Sequence, residues 1–329
     1  MAREDEIRET SDGPDEEGFE PAYLTLLRSG QLQERALAAH RRLADCRLCP
    51  RQCGVDRLAG ELGACRTGAR ALVSSFNAHF GEETPLVGRG GSGTIFLANC
   101  NLACRYCQNY DISHLGLGEE VEPEDLASMM LQLQAAGCHN INFVSPSHVV
   151  PQLLMGLMIA ARAGLRLPLV YNTGGYDALE TLELLDGVID IYMPDMKYSD
   201  PAAGRRYSGV SDYPARNREA VREMHRQVGD LILDERGIAR RGLLVRHLVL
   251  PNGLAGTEEI ANFLAREISP DTYINIMDQY RPCYRAGEFP ELNRRPTAAE
   301  YQAAVEAALR AGLTRLDQRA GRPYLWFLR

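Results

Sequence analysis

From residue 93 onward, short apolar runs alternate with stretches of helical period. The runs 94–98, 141–145, 168–172, 188–193, 243–250 and 272–277 are rich in Ile, Val, Leu and Tyr. Their near-continuous hydrophobicity predicts strands buried on both faces. Between them, 123–136 places Leu126, Met129, Met130 and Leu133 on one face and stops at Gly137. Residues 149–163 do the same with Val150, Leu153, Leu154, Leu157 and Met158. Further helices fit 177–185, 213–228 and 257–267. The last, 297–311, opens on Thr297 and Glu300, spaced as a capping box, and its apolar face is Tyr301, Ala304, Val305, Ala308 and Leu309. Strand and helix in alternation predict parallel βα units with right-handed crossovers. The expected fold is α/β, a partial (β/α)6-type parallel barrel, with its chemistry at the C-terminal ends of the strands.

The amino-terminal part reads differently. Residues 21–45 form a helical segment with Leu24, Leu26, Leu27, Leu37 and Leu43 among polar residues. Residues 46–92 are rich in glycine and cysteine and are expected to be a loop-rich segment that a metal helps to order. The expected division is an acidic disordered tail (1–20), a small helical and Cys-rich metal-binding extension (21–92), a barrel core (93–285) and a C-terminal helix and tail packed on it (286–329). The tail carries nine acidic and two basic residues, so nearly all of the formal net charge of −8 lies there. The remaining body lacks the basic excess that drives nucleic-acid binding, and no nucleic-acid partner is expected. No apolar run approaches the length of a membrane span, and residues 1–20 contain no signal-peptide core. A cytoplasmic protein with no membrane partner is expected.

Nine cysteines in such a chain argue against a disulfide framework. Seven fall in two clusters: Cys46, Cys49, Cys53 and Cys65, then Cys100, Cys104 and Cys107. Cys138, after a helix-capping glycine, reads as core packing, and Cys283 as a loop thiol after the last strand. The second cluster follows the first predicted strand, so its thiols lie on a loop at that strand's C-terminal end. Three thiols can hold three irons of a four-iron cluster and leave the fourth iron open. A zinc knuckle completed by His114 is the rival reading. The first cluster supplies four thiols, enough for zinc or for a second iron–sulfur cluster.

The C-x3-C-x2-C spacing, with Tyr106 just before the last cysteine, resembles the signature of the radical SAM superfamily. The resemblance implies a 4Fe-4S cluster on Cys100, Cys104 and Cys107 whose open iron chelates S-adenosyl-L-methionine. It implies reductive cleavage to a 5′-deoxyadenosyl radical, which abstracts hydrogen from a substrate. Within the superfamily, residues 93–255 are most similar to pyruvate formate-lyase activating enzyme. Asn172-Thr173-Gly174 stands where that family has Asp-Thr-Asn-Gly, Met193-Pro194-Asp195-Met196-Lys197 resembles Leu-Asp-Leu-Lys, and Val245-Arg246-His247 resembles the family's Arg-Tyr strand. Arg246 is suited to pair with the methionine carboxylate, Asp195 and Lys197 to balance charge, and Asn172 and Thr173 to hydrogen-bond ribose or carboxylate. By the same resemblance Asn172, Thr173, Met193 and Asp195 match a monovalent-cation site, although Asn172 replaces an acid. The family's Gly-Gly-Glu is absent; Ser145, Ser147 and His148 occupy its place. The C-x2-C-P-R-x-C-G-V run at Cys46 is similar to uncharacterised relatives of the activating enzyme. The resemblance implies a flavodoxin- or ferredoxin-type electron donor and a protein or peptide substrate, such as a glycyl-radical enzyme. The alternative function is an iron–sulfur electron-transfer or redox-sensing protein that does not cleave the sulfonium.

Overall fold

The computed structural model describes residues 19–317. The acidic tail and the last residues of the chain fall outside them, apart from Phe19 and Glu20. The strands are β1 (Ala71–His79), β2 (Ser92–Leu97), β3 (Glu119–Val121), β4 (Ile141–Val144), β5 (Leu169–Thr173), β6 (Ile191–Pro194), β7 (Ile232–Leu233), β8 (Ala239–Leu248) and β9 (Tyr273–Met277). The helices are α1 (Tyr23–Ser29), α2 (Gln31–Arg41), α3 (Thr84–Val87), α4 (Tyr110–Ser113), α5 (Pro123–Ala135), α6 (Val150–Arg162), α7 (Leu179–Leu185), α8 (Pro201–Ser208), α9 (Tyr213–Val228), α10 (Thr257–Phe263) and α11 (Ala298–Ala311).

Six strands, β2, β4, β5, β6, β8 and β9, run parallel in that order, and each coincides with a predicted apolar run. They are buried on both faces, which explains their unbroken hydrophobicity. The sheet stays open. The outer edge of β9 is taken by residues 315–317: Ile274 N–H donates to the Arg315 carbonyl at 3.0 Å and Asp317 N–H to Ile274 at 2.9 Å. The Thr297–Glu300 capping box forms as predicted at the start of α11.

The differences from the sequence reading lie at the edges. β1 is a nine-residue strand paired antiparallel to β2, inside the segment expected to be loops. Ala71 and Val73 face the core, a register shift between Val73 and Ser75 follows, and Phe76 and Ala78 then pack on it partly buried, so the alternation is broken and does not stand out among glycines. β1 thereby ties the Cys-rich extension to the barrel across the expected 92/93 boundary. β3 is three residues with two glutamates, and β7 has two residues, so neither carries an apolar signal. α1 and α2 lie on the outside against α6. Ala22 N–H donates to Asp190 at 2.8 Å and the Tyr23 hydroxyl to the Leu167 carbonyl at 3.1 Å.

The barrel interior holds Val170, Ile191, Met193, Leu244 and Tyr273 in one apolar cluster with Leu86 of α3. The Leu86 carbonyl accepts from Asn140, just before β4, at 2.9 Å. Residues 82–91 thus plug the end where the strands begin, and the opposite end is left for a site. At that opposite end Gly175, with φ of 74°, lets the chain turn against β6. A Cβ there would meet the Asp195 carbonyl oxygen at 2.2 Å. Gly175→Ala is expected to lower stability by at least about 2 kcal/mol, a left-handed penalty plus a clash. Gly312→Ala at an open helix cap, with nothing within 4 Å, should cost about 1 kcal/mol or less. Urea midpoints of the two variants compare them directly.

Candidate active site

The loop after β2 turns sharply at Asn99, which takes a left-handed conformation with φ of 66°. It then presents Cys100, Cys104 and Cys107 to a cleft at the C-terminal ends of the strands, an empty volume of ≈ 1090 Å³ open to solvent. Leu102 N–H points at Cys100 Sγ (3.4 Å), Ser208 Oγ lies 3.0 Å from Cys104 Sγ, and Ser113 Oγ lies 3.1 Å from Cys107 Sγ. Burial, then the neighbouring Cys104, pushes the Cys100 thiol up to about 12. Burial also raises Cys104, with Lys197 opposing. Thiols so placed stay protonated unless a cationic centre draws the proton off. Tyr106 lies between the thiols and a cluster of tyrosines. Its ring is edge-on to Tyr198 and Tyr280, and its hydroxyl accepts from Tyr198 at 2.7 Å. His114 is turned away from the sulfurs: Nε2 lies 3.0 Å from the Cys104 carbonyl, and the ring stacks on Tyr284 at 4.4 Å.

Five neighbouring strands deliver polar groups to the same cleft. Asp195, Lys197 and Arg246 form an ion cluster there, each side chain less than 20% exposed. Asp195 accepts from Arg246 Nε at 2.9 Å and from Lys197 Nζ at 2.5 Å. Burial would raise the Asp195 carboxyl, but Arg246 and Lys197 outweigh it and hold it below the usual range. Burial would lower Lys197, but Asp195 lifts it to about 12. Asn172 lines the cleft with no side-chain hydrogen bond to the described residues, so its amide is available to a ligand. Thr173 is already engaged: its hydroxyl donates to Asp177 at 2.7 Å and meets Ser147 at 3.0 Å. Ser145 also lines the cleft, in a left-handed conformation with φ of 61°.

Residues 94–238 match the Radical SAM superfamily. The chain is 34% identical, over 272 residues, to the uncharacterized protein MJ0674 of Methanocaldococcus jannaschii, covering 80% of this chain and 74% of that one. The chain belongs to the radical SAM superfamily. Among solved structures it is similar to HydG, a maturase of the FeFe hydrogenase, at a TM-score of 0.46 and 13% identity over 68% of this chain and 49% of that one. It is also similar to the radical S-adenosylmethionine methyltransferase TsrM from Kitasatospora setae, solved with cobalamin and a 4Fe-4S cluster, at a TM-score of 0.41 and 17% identity. That alignment covers 57% of this chain and 36% of TsrM. The chain therefore spans half or less of both structural neighbours.

Membership of the radical SAM superfamily implies an enzyme with a 4Fe-4S cluster and S-adenosylmethionine, and the donor set fits both. Cys100, Cys104 and Cys107 line one cleft, and a four-iron cluster takes one thiol per iron, so three thiols leave the fourth iron for a ligand. The Lys197–Asp195–Arg246 cluster carries one net positive charge toward the same cleft, suited to an amino-acid carboxylate.

Two expected residues stand elsewhere. His148 does not line the cleft: it is 2% exposed, with Nε2 3.0 Å from the Ala98 carbonyl, and it borders the amino-terminal cysteines instead. Burial drives its imidazole down to about 4, so it is neutral and structural. The left-handed turn at Ser145 parts His148 from the cleft, which the local sequence did not disclose. Of the positions matched to a monovalent cation, Thr173 and Asp195 have protein partners, while the Asn172 amide is open to the cleft. Met193 is buried in the barrel interior, and Asp195 already holds an ammonium and a guanidinium. Cys138 is buried in the main core, and Cys283 does not line the cleft.

Sequence reasoning missed a pair of acids. Glu82 and Glu83, both under 10% exposed, come up from the barrel plug, and Glu82 Oε2 stands 3.9 Å from Arg246 Nη1. Asn275 donates to Glu83 at 3.0 Å. No signal near residue 82 marks this, since its partners are on β8 and β9. Burial, with Glu83 adding to it, pushes the Glu82 carboxyl up to about 7. As pH rises through that value Glu82 ionises and competes for Arg246. Affinity for S-adenosylmethionine is therefore expected to fall between pH 6 and pH 8, and Glu82→Gln should flatten that slope in calorimetric titration. An equal slope in the variant would remove Glu82 from this role.

Proposed function

We propose that this chain cleaves S-adenosylmethionine reductively and abstracts hydrogen from a protein or peptide substrate, such as a glycine of a glycyl-radical enzyme. The observation that carries the reading is the single cleft into which β2, β4, β5, β6 and β8 bring three thiols, Ser145, Asn172 and the Asp195–Lys197–Arg246 cluster. The cluster and sulfonium supply the radical chemistry when bound. The chain's own groups bind and orient. Arg246 and Lys197 offer charge-assisted bonds to the methionine carboxylate, and Asn172 offers an amide to ribose or carboxylate. Ser208 and Ser113 offer hydroxyls to two of the sulfurs. The tyrosines under the loop keep water from its buried side.

A large substrate is supported by the rim. Leu115 and Leu117 are exposed just after the cleft-lining Ile112 and Ser113, and the exposed Tyr110 stacks on Tyr284 at 5.4 Å, an apolar surface suited to another polypeptide. The resemblance of the strand-end motifs to those of activating enzymes supports a glycine as the target. A flavodoxin- or ferredoxin-type protein is the fitting electron donor. Among the described residues no helix is long and apolar enough to cross a membrane.

Anaerobically reconstituted protein with dithionite and S-adenosylmethionine is expected to release 5′-deoxyadenosine, and Cys104→Ala to release none. Product unchanged in the variant, or absent from a fully loaded wild type, would refute the reading. Arg246→Lys keeps the charge but loses the planar fork. It should weaken binding of S-adenosylmethionine about tenfold to a hundredfold, the worth of about 1.5–3 kcal/mol for a charge-assisted bond.

A further inference from the structure

The four amino-terminal thiols form a second site that the chemistry above does not use. Cys46, Cys49, Cys53 and Cys65 surround one small pocket, with an empty volume of ≈ 330 Å³. Three are buried and Cys53 is exposed. Arg57 lies against them, only 1% exposed. Its guanidinium donates to the Gly68 carbonyl at 2.9 and 2.7 Å, to the His148 carbonyl at 2.8 Å and toward Cys46 Sγ at 3.7 Å. No carboxylate among the described residues pairs with it. A buried guanidinium surrounded by neutral carbonyls needs a negative counter-charge, and the thiolates of a metal centre are the groups at hand to provide it.

The placement favours a cluster over zinc, because a cluster beside the first thiol set can pass an electron to it and zinc cannot. The two thiol sets also lean on each other. Arg51, between Cys49 and Cys53, donates to the carbonyl of Asn101, between Cys100 and Cys104, at 2.5 Å. Arg57 holds the His148 carbonyl, while His148 Nε2 meets Ala98, two residues before Cys100.

We propose that Cys46, Cys49, Cys53 and Cys65 hold a second iron–sulfur cluster, with Arg57 as its buried counter-charge, beside the first. Its role rests on the function proposed above: one electron passes from a reduced ferredoxin- or flavodoxin-class donor to this cluster and on to the first, the donor being oxidised by one electron. The site itself does not depend on that role.

The test uses the full chain purified without oxygen, with iron, sulfide and zinc content and EPR as readouts. The wild type should carry about eight irons per chain. The Cys100→Ala/Cys104→Ala/Cys107→Ala variant should keep about four irons and an EPR signal indifferent to S-adenosylmethionine. Cys46→Ser/Cys49→Ser/Cys65→Ser should lose the complementary half. If that variant fails to fold, Arg57→Gln serves instead: it should shift the remaining cluster of the first variant to a more negative midpoint potential, and Arg57→Lys should restore most of the shift. Stoichiometric zinc, or no metal at all, in the Cys100→Ala/Cys104→Ala/Cys107→Ala variant overturns the cluster. An unmoved potential in Arg57→Gln overturns the counter-charge. A variant that keeps this cluster while the wild type makes no deoxyadenosine would sink only the reaction proposed earlier.

Discussion

Three charges are held out of water at the strand ends, and the rest of the site is arranged around keeping them paired. Asp195 alone would be costly to bury, and so would Lys197 or Arg246. Together they leave one positive charge facing the cleft, beside thiols that burial keeps from ionising unaided. The surrounding scaffold fixes this cluster from behind. The Tyr213 hydroxyl bridges the carbonyls of Gly174 and Asp195 and accepts from Lys197 N–H, and Asn217 donates to the carbonyls of Gly175 and Asp195. Met196 N–H donates to the Arg246 carbonyl at 2.8 Å. One helix, α9, thus locks the ends of β5 and β6 to the loop that carries the charges.

The parts of the fold that were legible in the sequence are those with a strong periodic signature. Each parallel strand is buried on both sides and therefore reads as an apolar run, and each long helix shows one apolar face. β1 was not legible because only one of its faces touches the core, and its meaning comes from pairing with β2. The thiol loop could be read because its ligands are close in sequence. The grouping of Asn172, Asp195, Lys197 and Arg246 followed once the strands were known to be parallel, since parallel strands all end on one side. What failed was local direction. His148 is three residues beyond Ser145, and only the backbone turn at Ser145 decides which of them meets the cleft. Glu82 escaped notice because its significance depends on Arg246, far away in the chain.

Tyrosines are concentrated under the cysteine loop. Tyr106, Tyr176, Tyr198, Tyr207, Tyr213 and Tyr280 share one buried cluster. Each supplies an apolar ring for packing and a hydroxyl for a specific partner, so the layer excludes water without leaving polar groups stranded. Tyr198 shows the economy of this: its hydroxyl donates to Tyr106 and lies 2.8 Å from Ser208 Oγ, which in turn faces Cys104 Sγ.

The plug formed by residues 82–91 has a consequence for how the molecule can be divided. It seals the floor of the barrel through Leu86, and through Glu82 it also reaches the guanidinium that lines the cleft. A fragment starting at residue 93 would retain every strand of the parallel sheet yet open its base to water and free Arg246 from an acidic neighbour. The stretch matching the superfamily, 94–238, omits both this plug and the strand that carries Arg246, so the walls and floor of the cleft come in part from chain on either side of it.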